Sequence, residues 1–369
     1  MVSPRELTVC YFGAYRPNYP RNLFYRQALE AQGIHVIECR VSVRNRTIIR
    51  AFQLFWQFWR GAHADVLFVA EFNHTLVPLA WMLARLSGMA LIFDPGLSYY
   101  DELVLRAKEI KPDSARGLYL RWMETLAYRL PDLVIWFTPV DDEYFQKLFH
   151  IPPNRSAWLP PGIDTTLFYP TSLPRSESPF VVHWDGNMSS THGVDIILRA
   201  ARLLIEESEI HFEFIGGMLP EVQALADELR LPNVQFFGTV SPEELRASVQ
   251  RAHICLGVFR GDDKLRRSLY TKELQAMMAG RPLITGYGEA KERLFRSGTD
   301  LIMIPPENPE ALAQAVRDLR ADPARRGMLA REGASAAAAL CDPQNAGTKL
   351  LNLLRVAYAR RRSVGQMPS

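Results

Sequence analysis

The chain has 369 residues, 48% of them hydrophobic and 22% charged, a balance that predicts a folded protein with two ordinary domains and excludes an intrinsically disordered chain. Its 43 basic and 40 acidic residues leave a net charge of only +3, which argues against a dedicated nucleic-acid-binding protein. The four cysteines form no CxxC pair, so we predict reduced core thiols and no zinc or redox motif.

The sequence shows no targeting or membrane-spanning signal. Its start, MVSPRELTVC, has no basic stretch followed by an apolar run, so we predict no signal peptide. The longest apolar segment, TLVPLAWMLARLSGMALIF, is interrupted by Arg85, Ser87 and Gly88, which favours a helix and a buried strand over a membrane span. We therefore expect a cytoplasmic protein.

Short apolar runs alternate with amphipathic segments through the first half of the chain. We predict strands at LTVCYFG, IHVIEC, DVLFVAEF, ALIFD and DLVIWFT, separated by helices at about residues 21–32 and at RTIIRAFQLFWQFWRG, HTLVPLAWMLARLSG and ARGLYLRWMETLAYRL. This alternation is typical of β-α-β units around a parallel sheet whose strands are buried on both faces.

The pattern breaks once and then resumes. Residues 159–179 contain five of the 25 prolines and no helical or strand periodicity, which predicts an interdomain linker. Ser241 and Glu244 then predict a capping box at the helix SPEELRASVQRA. Further strands are predicted at FVVHWDG, IHFEFIGG, VQFFG, HICLGVF, RPLIT and DLIMI.

The fold class that this pattern predicts is α/β, with two doubly wound Rossmann-like domains facing each other across a cleft, where the ligand sites of such sheets are expected. We place the N-terminal domain at 1–160, the linker at 161–179 and the C-terminal domain at 180–343. A final helix and a basic tail, 344–369, are expected to pack back on the N-terminal domain.

Four segments in a fixed order carry a family resemblance: LPPGIDTTLFYP, HGVDIILRAARLL, VQFFGTVSPEELRASVQRAHICLGVF and TKELQAMMAGRPLITG. Over about residues 156–340 the chain resembles retaining glycosyltransferases of the GT-B fold, glycosyltransferase family 4, and its N-terminal half resembles a bacterial branch of that family. The resemblance implies transfer of a hexose, with retention and without a metal or other cofactor. The donor would be a UDP- or GDP-sugar bound by the C-terminal domain, and the acceptor a glycan, lipid-linked or small molecule bound by the N-terminal domain.

The clearest candidate for binding the donor diphosphate is Lys272. It lies in the first turn of a predicted helix, where a cation is unfavourable for the helix dipole unless an anion binds there. A solvated lysine, or one paired with Glu273 or Glu292, is the alternative. The resemblance assigns Lys264 to the same diphosphate site; the alternative is that Lys264 belongs to a solvated run of charged residues. We also assign Thr271 to the diphosphate site.

Two positions in the loop DGNMSSTHG depart from the family. Asn187 and His192 stand where the family commonly has an Arg and a Lys that bind the diphosphate, so the resemblance assigns them the same role with less charge. The alternative for His192 is that it is a loop residue that caps the following helix.

The nucleoside site departs from the family as well. Arg267 and Gln275 match two family glutamates, the second of which normally holds the ribose hydroxyls. Gln275 can still hydrogen-bond a hydroxyl but without a charge, and core packing of its side chain is the alternative. We assign Gly238 to the same nucleoside site.

Candidate catalytic residues follow two N-terminal strands. Asp94 occupies the slot where the family often places a catalytic His, so it is predicted to orient the acceptor hydroxyl or the donor sugar; His74 follows the preceding strand. The alternatives are that Asp94 stiffens an Asp-Pro-Gly turn and that His74 caps its helix. Gly13, after the first strand, would let the backbone approach the donor, whereas Arg21 or Asn22 caps the next helix or touches the acceptor.

The segment FQLFWQFW has arginines around it at positions 44, 46, 50 and 60, a combination that suits a helix lying on an anionic bilayer at the inner face of the membrane. A core helix that covers the sheet is the alternative and is the favoured one here. The YARRR tail has the same membrane interpretation, with a solvated terminus favoured.

Two other hypotheses remain open at this stage. The departures at Asn187, His192, Arg267 and Gln275 motivate a catalytically silent homologue that binds a sugar nucleotide or a partner enzyme. A sugar-nucleotide epimerase of the same fold is the second hypothesis.

Overall fold

The computed structural model describes residues 7–61, 63–176, 178–188 and 192–365, with side chains up to residue 363. The chain divides into two compact units. One is built from the chain up to Gly162 together with the segment from Pro343 onward, and the other spans Ile163–Asp342.

The first unit is a parallel sheet of six strands with the order β2-β1-β3-β4-β5-β6. Its strands are β1 (Thr8–Ala14), β2 (His35–Val41), β3 (Val66–Val69), β4 (Ala90–Phe93), β5 (Leu133–Trp136) and β6 (Ser156–Trp158). The connecting helices are α1 (Pro20–Ala31), α2 (Thr47–Gly61), α3 (Val77–Leu86), α4 (Ala115–Arg129) and α5 (Pro139–Phe149).

The strand order distributes these helices over the two faces of the sheet. Because crossovers between parallel strands are right-handed, α1 leads outward from β1 to β2 on one face, whereas α2, α3 and α4 run in the opposite direction on the other face. The contacts agree, since α2 packs against α3 and α3 against α4. The three helices thus form one layer.

The second unit repeats the plan with the strand order β12-β11-β10-β7-β8-β9. Its strands are β7 (Phe180–Asp185), β8 (Ile210–Ile215), β9 (Val234–Phe237), β10 (Ile254–Leu256), β11 (Leu283–Gly286) and β12 (Ile302–Ile304). Its helices are α6 (Val194–Leu203), α7 (Pro220–Leu229), α8 (Pro242–Arg251), α9 (Asp263–Arg267), α10 (Thr271–Met278), α11 (Glu289–Leu294), α12 (Pro309–Ala321) and α13 (Pro323–Cys341).

The predicted class, two doubly wound α/β domains, is confirmed. The Ser241–Glu244 capping box at α8 is also present. The prediction missed β6, the short helices α9 and α11, the long helix α13 and a π-helical turn at Asp101–Arg106. These are either too short for a periodic signal or, in α13, rich in alanine with little contrast between faces.

A last helix, α14 (Pro343–Gly365), belongs to the first unit and packs along α1. The two helices pack closely because Gly347 of α14 has no side chain. A Cβ at this position would clash with the Ala28 carbonyl oxygen and would lie 2.9 Å from Gln32 Cγ, both on the α1 side. Gln32 also hydrogen-bonds Gln344 across the same contact.

We predict that Gly347→Ala destabilises the first unit by about 1–3 kcal/mol, since overpacking at a backbone contact outweighs the gain in helix propensity. Urea unfolding followed by circular dichroism measures the change. Gly61→Ala at the end of α2 is the matched control, because a Cβ there meets no atom within 4 Å. If the two variants had equal free energies of unfolding, close packing of α14 on α1 would be contradicted.

Candidate active site

A lysine and a tryptophan meet where β7 ends and α10 begins, in the second unit. Lys272 is the second residue of α10, as predicted, and Trp184 is the penultimate residue of β7. The Lys272 Nζ atom lies 3.6 Å from the centroid of the Trp184 ring, which is fully buried. This cation–π contact fixes the ammonium group at the carboxyl edge of the sheet.

The ammonium group of Lys272 is shielded from solvent and makes no hydrogen bond within the described part of the chain, although the residue as a whole is only half-buried. Burial lowers the pKa of Lys272 to about 8, against the opposing charges of Asp185 and Glu273. Keeping the lysine charged at pH 7 therefore costs about 3 kcal/mol relative to water, a cost that an anionic ligand would offset.

Asp185 is the counter-charge next to this lysine. Burial alone would raise the pKa of Asp185, but His183, whose Nε2 lies 3.4 Å from Asp185 Oδ1, and the charge of Lys272 bring it below its usual value. The carboxylate holds the ammonium in place through its field, without a hydrogen bond that would occupy the lysine donors.

Gly186 makes room for the lysine. Its φ of +128° is a conformation that L side chains rarely adopt, and a Cβ there would lie 2.8 Å from Lys272 Nζ. The glycine therefore has both a conformational and a steric reason to stand at this position.

Three other predicted diphosphate residues lie close to Lys272. The His192 ring lies 6.4 Å from the Trp184 ring and 5.7 Å from the Tyr270 ring, between centroids. His192 Nδ1 lies 3.0 Å from the backbone oxygen of Asn187, whose side chain is exposed. Thr271 is the first residue of α10 and directly precedes Lys272. Residues 189–191 of this loop lie outside the described residues.

The remaining predicted donor residues are spread over the same unit. Lys264 is half-buried on α9, and Gln275 lies on α10, half-buried, one turn after Lys272. Gly238 follows β9 and is exposed, and its carbonyl accepts a hydrogen bond from the Gly216 amide at 3.3 Å. Arg267, at the position of a family glutamate, is buried and pairs with Asp263 at 3.0 Å.

Glu273, weighed as a partner for Lys272, has other partners. It is fully buried, accepts hydrogen bonds from the Thr285 hydroxyl at 2.5 Å and the Tyr270 amide at 3.0 Å, and pairs with Lys291 at 3.3 Å. It thus caps α10 and leaves the Lys272 donors open.

In the first unit, a buried polar cluster lies at the carboxyl ends of β1, β3 and β4. Arg21, on α1, pairs through Nε with Asp94 Oδ2 at 2.6 Å and donates through Nη1 to the Pro160 carbonyl at 3.0 Å. Burial raises the pKa of Asp94, and the Arg21 guanidinium opposes that shift. Arg21 Nη2 and Asp94 Oδ1 make no hydrogen bond within the described residues.

Glu71 completes this cluster and was missed by the sequence analysis. Its Oε1 accepts from Asn22 Nδ2 at 2.6 Å, whereas its Oε2 has no hydrogen-bond partner among the described residues. Burial, with the charge of Asp94 adding to it, raises the pKa of Glu71 to about 7. A carboxyl group whose pKa lies near neutral pH, next to another carboxylate and an arginine, is typical of functional clusters.

His74 belongs to a different, fully packed group. Its Nε2 lies 3.0 Å from the Tyr128 hydroxyl, and the rings of Phe93, Tyr99 and Tyr128 surround it at 5.0–5.6 Å between centroids. Burial lowers its pKa to about 3, so the ring is neutral. Among the described residues, the Nε2 atom of His74 hydrogen-bonds the Tyr128 hydroxyl while Asp94 hydrogen-bonds Arg21, so the two predicted catalytic residues lie in separate clusters.

Gly13 lies at the end of β1, where a Cβ would be 2.8 Å from Asn73 Nδ2. The Asn73 side chain uses this space, since its Oδ1 accepts from the Ala14 amide at 2.8 Å. The glycine thus permits a side chain to close over the strand end, a packing reason that the sequence did not show.

Residues 179–322, which hold all six strands of the second unit's sheet and the α10 site, match the family described as "Glycosyl transferases group 1". In this part of the second unit the chain is similar to the group 1 glycosyltransferases. The recognition made from the four sequence segments is thereby confirmed.

The curated relatives that the chain matches are distant. The D-inositol 3-phosphate glycosyltransferase of Thermomonospora curvata is 25% identical over 226 residues, covering 54% of this chain and 51% of the relative. A second such enzyme, from Catenulispora acidiphila, is 24% identical over 63% of this chain and 59% of its own length. The chain thus aligns with little more than half of the curated relatives it matches.

Solved structures show the same GT-B fold along nearly the whole chain. HepE from Anabaena, crystallised with UDP and glucose, has a TM-score of 0.69 at 15% identity and covers 95% of this chain and 99% of its own. Sucrose-phosphate synthase from Thermosynechococcus elongatus has a TM-score of 0.71 at 16% identity, with 96% and 100% coverage. WaaG, a glycosyltransferase of lipopolysaccharide biosynthesis, has a TM-score of 0.65 at 17% identity, with 94% and 99% coverage.

We predict that Glu71→Gln stabilises the protein by about 1–3 kcal/mol at pH 8. The folded pKa of Glu71, about 7, lies above its ordinary value of 4.5, so the ionised group destabilises the fold at pH 8 and wild-type stability rises as the pH falls from 7 toward 4.5. Gln has no charge to desolvate, so the variant should lose this pH dependence. Urea unfolding at pH 5, 7 and 8 measures it.

Glu124→Gln is the matched control. Burial raises the pKa of Glu124 to about 7 as well, but its carboxylate accepts from the Ser98 hydroxyl and the Tyr99 amide, both at 2.5 Å. Its replacement should destabilise the fold, since an amide nitrogen cannot accept these bonds. If Glu71→Gln is also less stable than wild type at pH 8, Glu71 is structural.

Proposed function

We propose that this protein transfers a hexose, with retention, from a UDP-sugar to an acceptor hydroxyl on a glycan, a glycolipid or a small molecule. The observation that carries the proposal is that the Lys272 ammonium at the start of α10 is buried beside a glycine-containing strand end and has no hydrogen-bond partner among the described residues. Both features suit a diphosphate, whose negative charge grows as the sugar leaves. The fold shared with HepE, which was crystallised with UDP and glucose, supports the choice of uridine as the base.

Each candidate residue of the second unit has a place in this reaction. Lys272 and the α10 amides from Thr271 onward would bind the diphosphate, joined by His192 and Asn187 around Trp184. Lys264 would add charge from α9, and Gln275 and Gly238 would bind the nucleoside. These roles follow the family pattern residue by residue, and retention without a metal rests on the same resemblance.

In the first unit we propose Asp94 as the residue that orients the acceptor hydroxyl or the donor sugar. Arg21 fixes one carboxylate oxygen of Asp94, which leaves the other without a protein partner among the described residues. Such an oxygen, oriented and unsatisfied, suits a hydroxyl donor from the substrate. Gly13 lies at the neighbouring strand end and would border the donor.

We also propose that the protein works in the cytoplasm, with peripheral contact between α2 and the anionic inner face of the membrane. The core-helix interpretation of FQLFWQFW accounts for one side of α2, which packs on the sheet through Leu54 and Phe58. The other side carries Trp56 and Trp59, each 53% exposed, and this side is the one that we propose contacts the membrane. Within the described residues, none of the helices combines the length and the hydrophobicity that a bilayer crossing requires.

One observation favours a second candidate, the catalytically silent homologue. Asn187 and His192 supply less permanent charge than the Arg and Lys that the family commonly has, and Arg267 is occupied by Asp263. Release of UDP from UDP-hexoses, tested with and without candidate acceptors, separates the two: a protein that binds UDP but never releases it from a donor is silent. Conversion of one UDP-hexose into another without an acceptor would indicate an epimerase.

We predict that Lys272→Met weakens UDP binding by about 2–4 kcal/mol at pH 7, since it removes a charge-assisted contact from a buried site. A bound diphosphate stabilises the ammonium form, so wild-type affinity is full below about pH 8, the pKa of Lys272, and falls as the pH rises through it. Lys272→Met should show no such fall. Isothermal titration from pH 7 to 9.5 measures both effects.

Lys349 provides a matched control in the first unit. Its Nζ lies 3.1 Å from the centroid of the Trp158 ring, and burial lowers its pKa to about 8 as well. Lys349→Met should leave the affinity for UDP and its pH profile unchanged. An unaltered Kd in Lys272→Met, or an equal loss in both variants, would refute the diphosphate assignment.

A further inference from the structure

Exposed hydrophobic side chains concentrate on one layer of the first unit, the layer formed by α2, α3 and α4. Of the nineteen large hydrophobic side chains that are exposed among the described residues, six lie on α2, three on α3 and three on α4. They are Ile48, Ile49, Phe52, Phe55, Trp56 and Trp59, then Trp81, Met82 and Leu86, then Leu118, Tyr119 and Trp122. We call this set the three-helix face.

The exposure is high enough to require an explanation. Ile48 is 84% exposed, Phe52 71%, Leu86 67% and Trp122 63%. Because α2 packs against α3 and α3 against α4 on the same side of the sheet, their outer sides form one continuous surface. A contiguous apolar surface of this kind in a folded protein marks a binding surface.

The charges on the same segments have one sign. Residues 43–61, 77–88 and 115–129 contain eight arginines and a single acidic residue, Glu124, which is fully buried. Two of the arginines lie over exposed tryptophans, Arg60 at 5.1 Å from the Trp56 centroid and Arg85 at 5.8 Å from the Trp81 centroid. The solvent side of the three-helix face is therefore apolar, aromatic and positively charged.

We propose that the whole three-helix face docks on an anionic lipid bilayer. This inference rests on the peripheral membrane contact proposed for α2 and extends it to α3 and α4, so that the first unit lies flat on the membrane with a fixed orientation. Tryptophan and tyrosine rings are favourable at the level of the lipid headgroups, the aliphatic side chains reach the acyl boundary, and the arginines pair with lipid phosphates.

The charge distribution selects a bilayer over a second copy of the chain. Two copies that pair through this face would bring sixteen arginines together without exposed acidic partners on these segments, which is unfavourable at close range. An anionic membrane supplies both the apolar depth and the counter-charge.

The test uses the full chain and vesicles of phosphatidylcholine, alone or with about 30% phosphatidylglycerol. Wild type should sediment with the anionic vesicles only, and less so at high salt. Leu118→Ser with Trp122→Ser, on α4, should weaken this binding at least about fivefold with α2 intact, since each buried apolar side chain contributes on the order of 1 kcal/mol. Arg116→Gln with Arg121→Gln should also weaken it, through charge alone.

The matched control is Leu203→Ser with Leu219→Ser in the second unit, which removes two comparably exposed side chains, 45% and 43%, outside the face. It should bind vesicles as wild type does. Circular dichroism and UDP titration accompany every variant, so a loss of folding or of donor binding is distinguished from a loss of membrane binding.

Three outcomes would overturn the proposal. One is that the wild-type protein does not bind anionic vesicles. Another is that only α2 substitutions matter, which would leave the α2 contact standing but reject the three-helix face. The third is a dimer in light scattering that the α4 variant abolishes while vesicle binding is absent, which would assign the face to a second copy.

Discussion

A lysine ammonium that packs against an indole ring, and that makes no hydrogen bond in the described part of the chain, is the feature on which the proposed function depends. Lys272 is charged at neutral pH only at a cost, because Trp184 and the surrounding chain exclude water from it. Asp185 compensates part of this cost through its field, and Gly186 leaves the space that the ammonium occupies. A buried ammonium whose donors have no partner among the described residues suits an anion, as does the start of a helix, and we propose the donor diphosphate as that anion.

The first unit carries the complementary tasks. Arg21, Asp94 and Glu71 form a buried cluster with unsatisfied atoms at the carboxyl ends of its strands, where parallel sheets bind their ligands. The outer layer of the same unit, formed by α2, α3 and α4, carries arginines and exposed aromatic side chains. A lipid-linked acceptor would make these two features parts of one task, since the enzyme would meet its substrate at the bilayer surface.

The sequence predicted what depends on local pattern. Alternating apolar runs predicted nearly all strands and the two α/β domains, and Ser241 and Glu244 predicted the capping box. The position of Lys272 in the first turn of a helix was also predicted from the sequence. The partners of Lys272 were not predictable, because Trp184 lies 88 positions earlier and looks like any core aromatic residue in a strand. Glu71 was missed for the same reason: only the fold brings it to Asp94 and Arg21. The sequence did not show that the outer side of α2 is exposed, because an apolar helix has the same pattern whether it packs on a sheet alone or also contacts a second surface.

Hydrogen exchange with and without UDP tests the central claim most directly, because it locates the donor on the chain without assuming any acceptor. Backbone amides at Gly186–Asn187 and at the start of α10, Thr271–Gln275, should exchange more slowly when UDP is bound, and the effect should disappear in Lys272→Met. Protection confined to other parts of the chain, or protection at α10 that persists in the variant, would contradict the assignment of Lys272 as the diphosphate ligand.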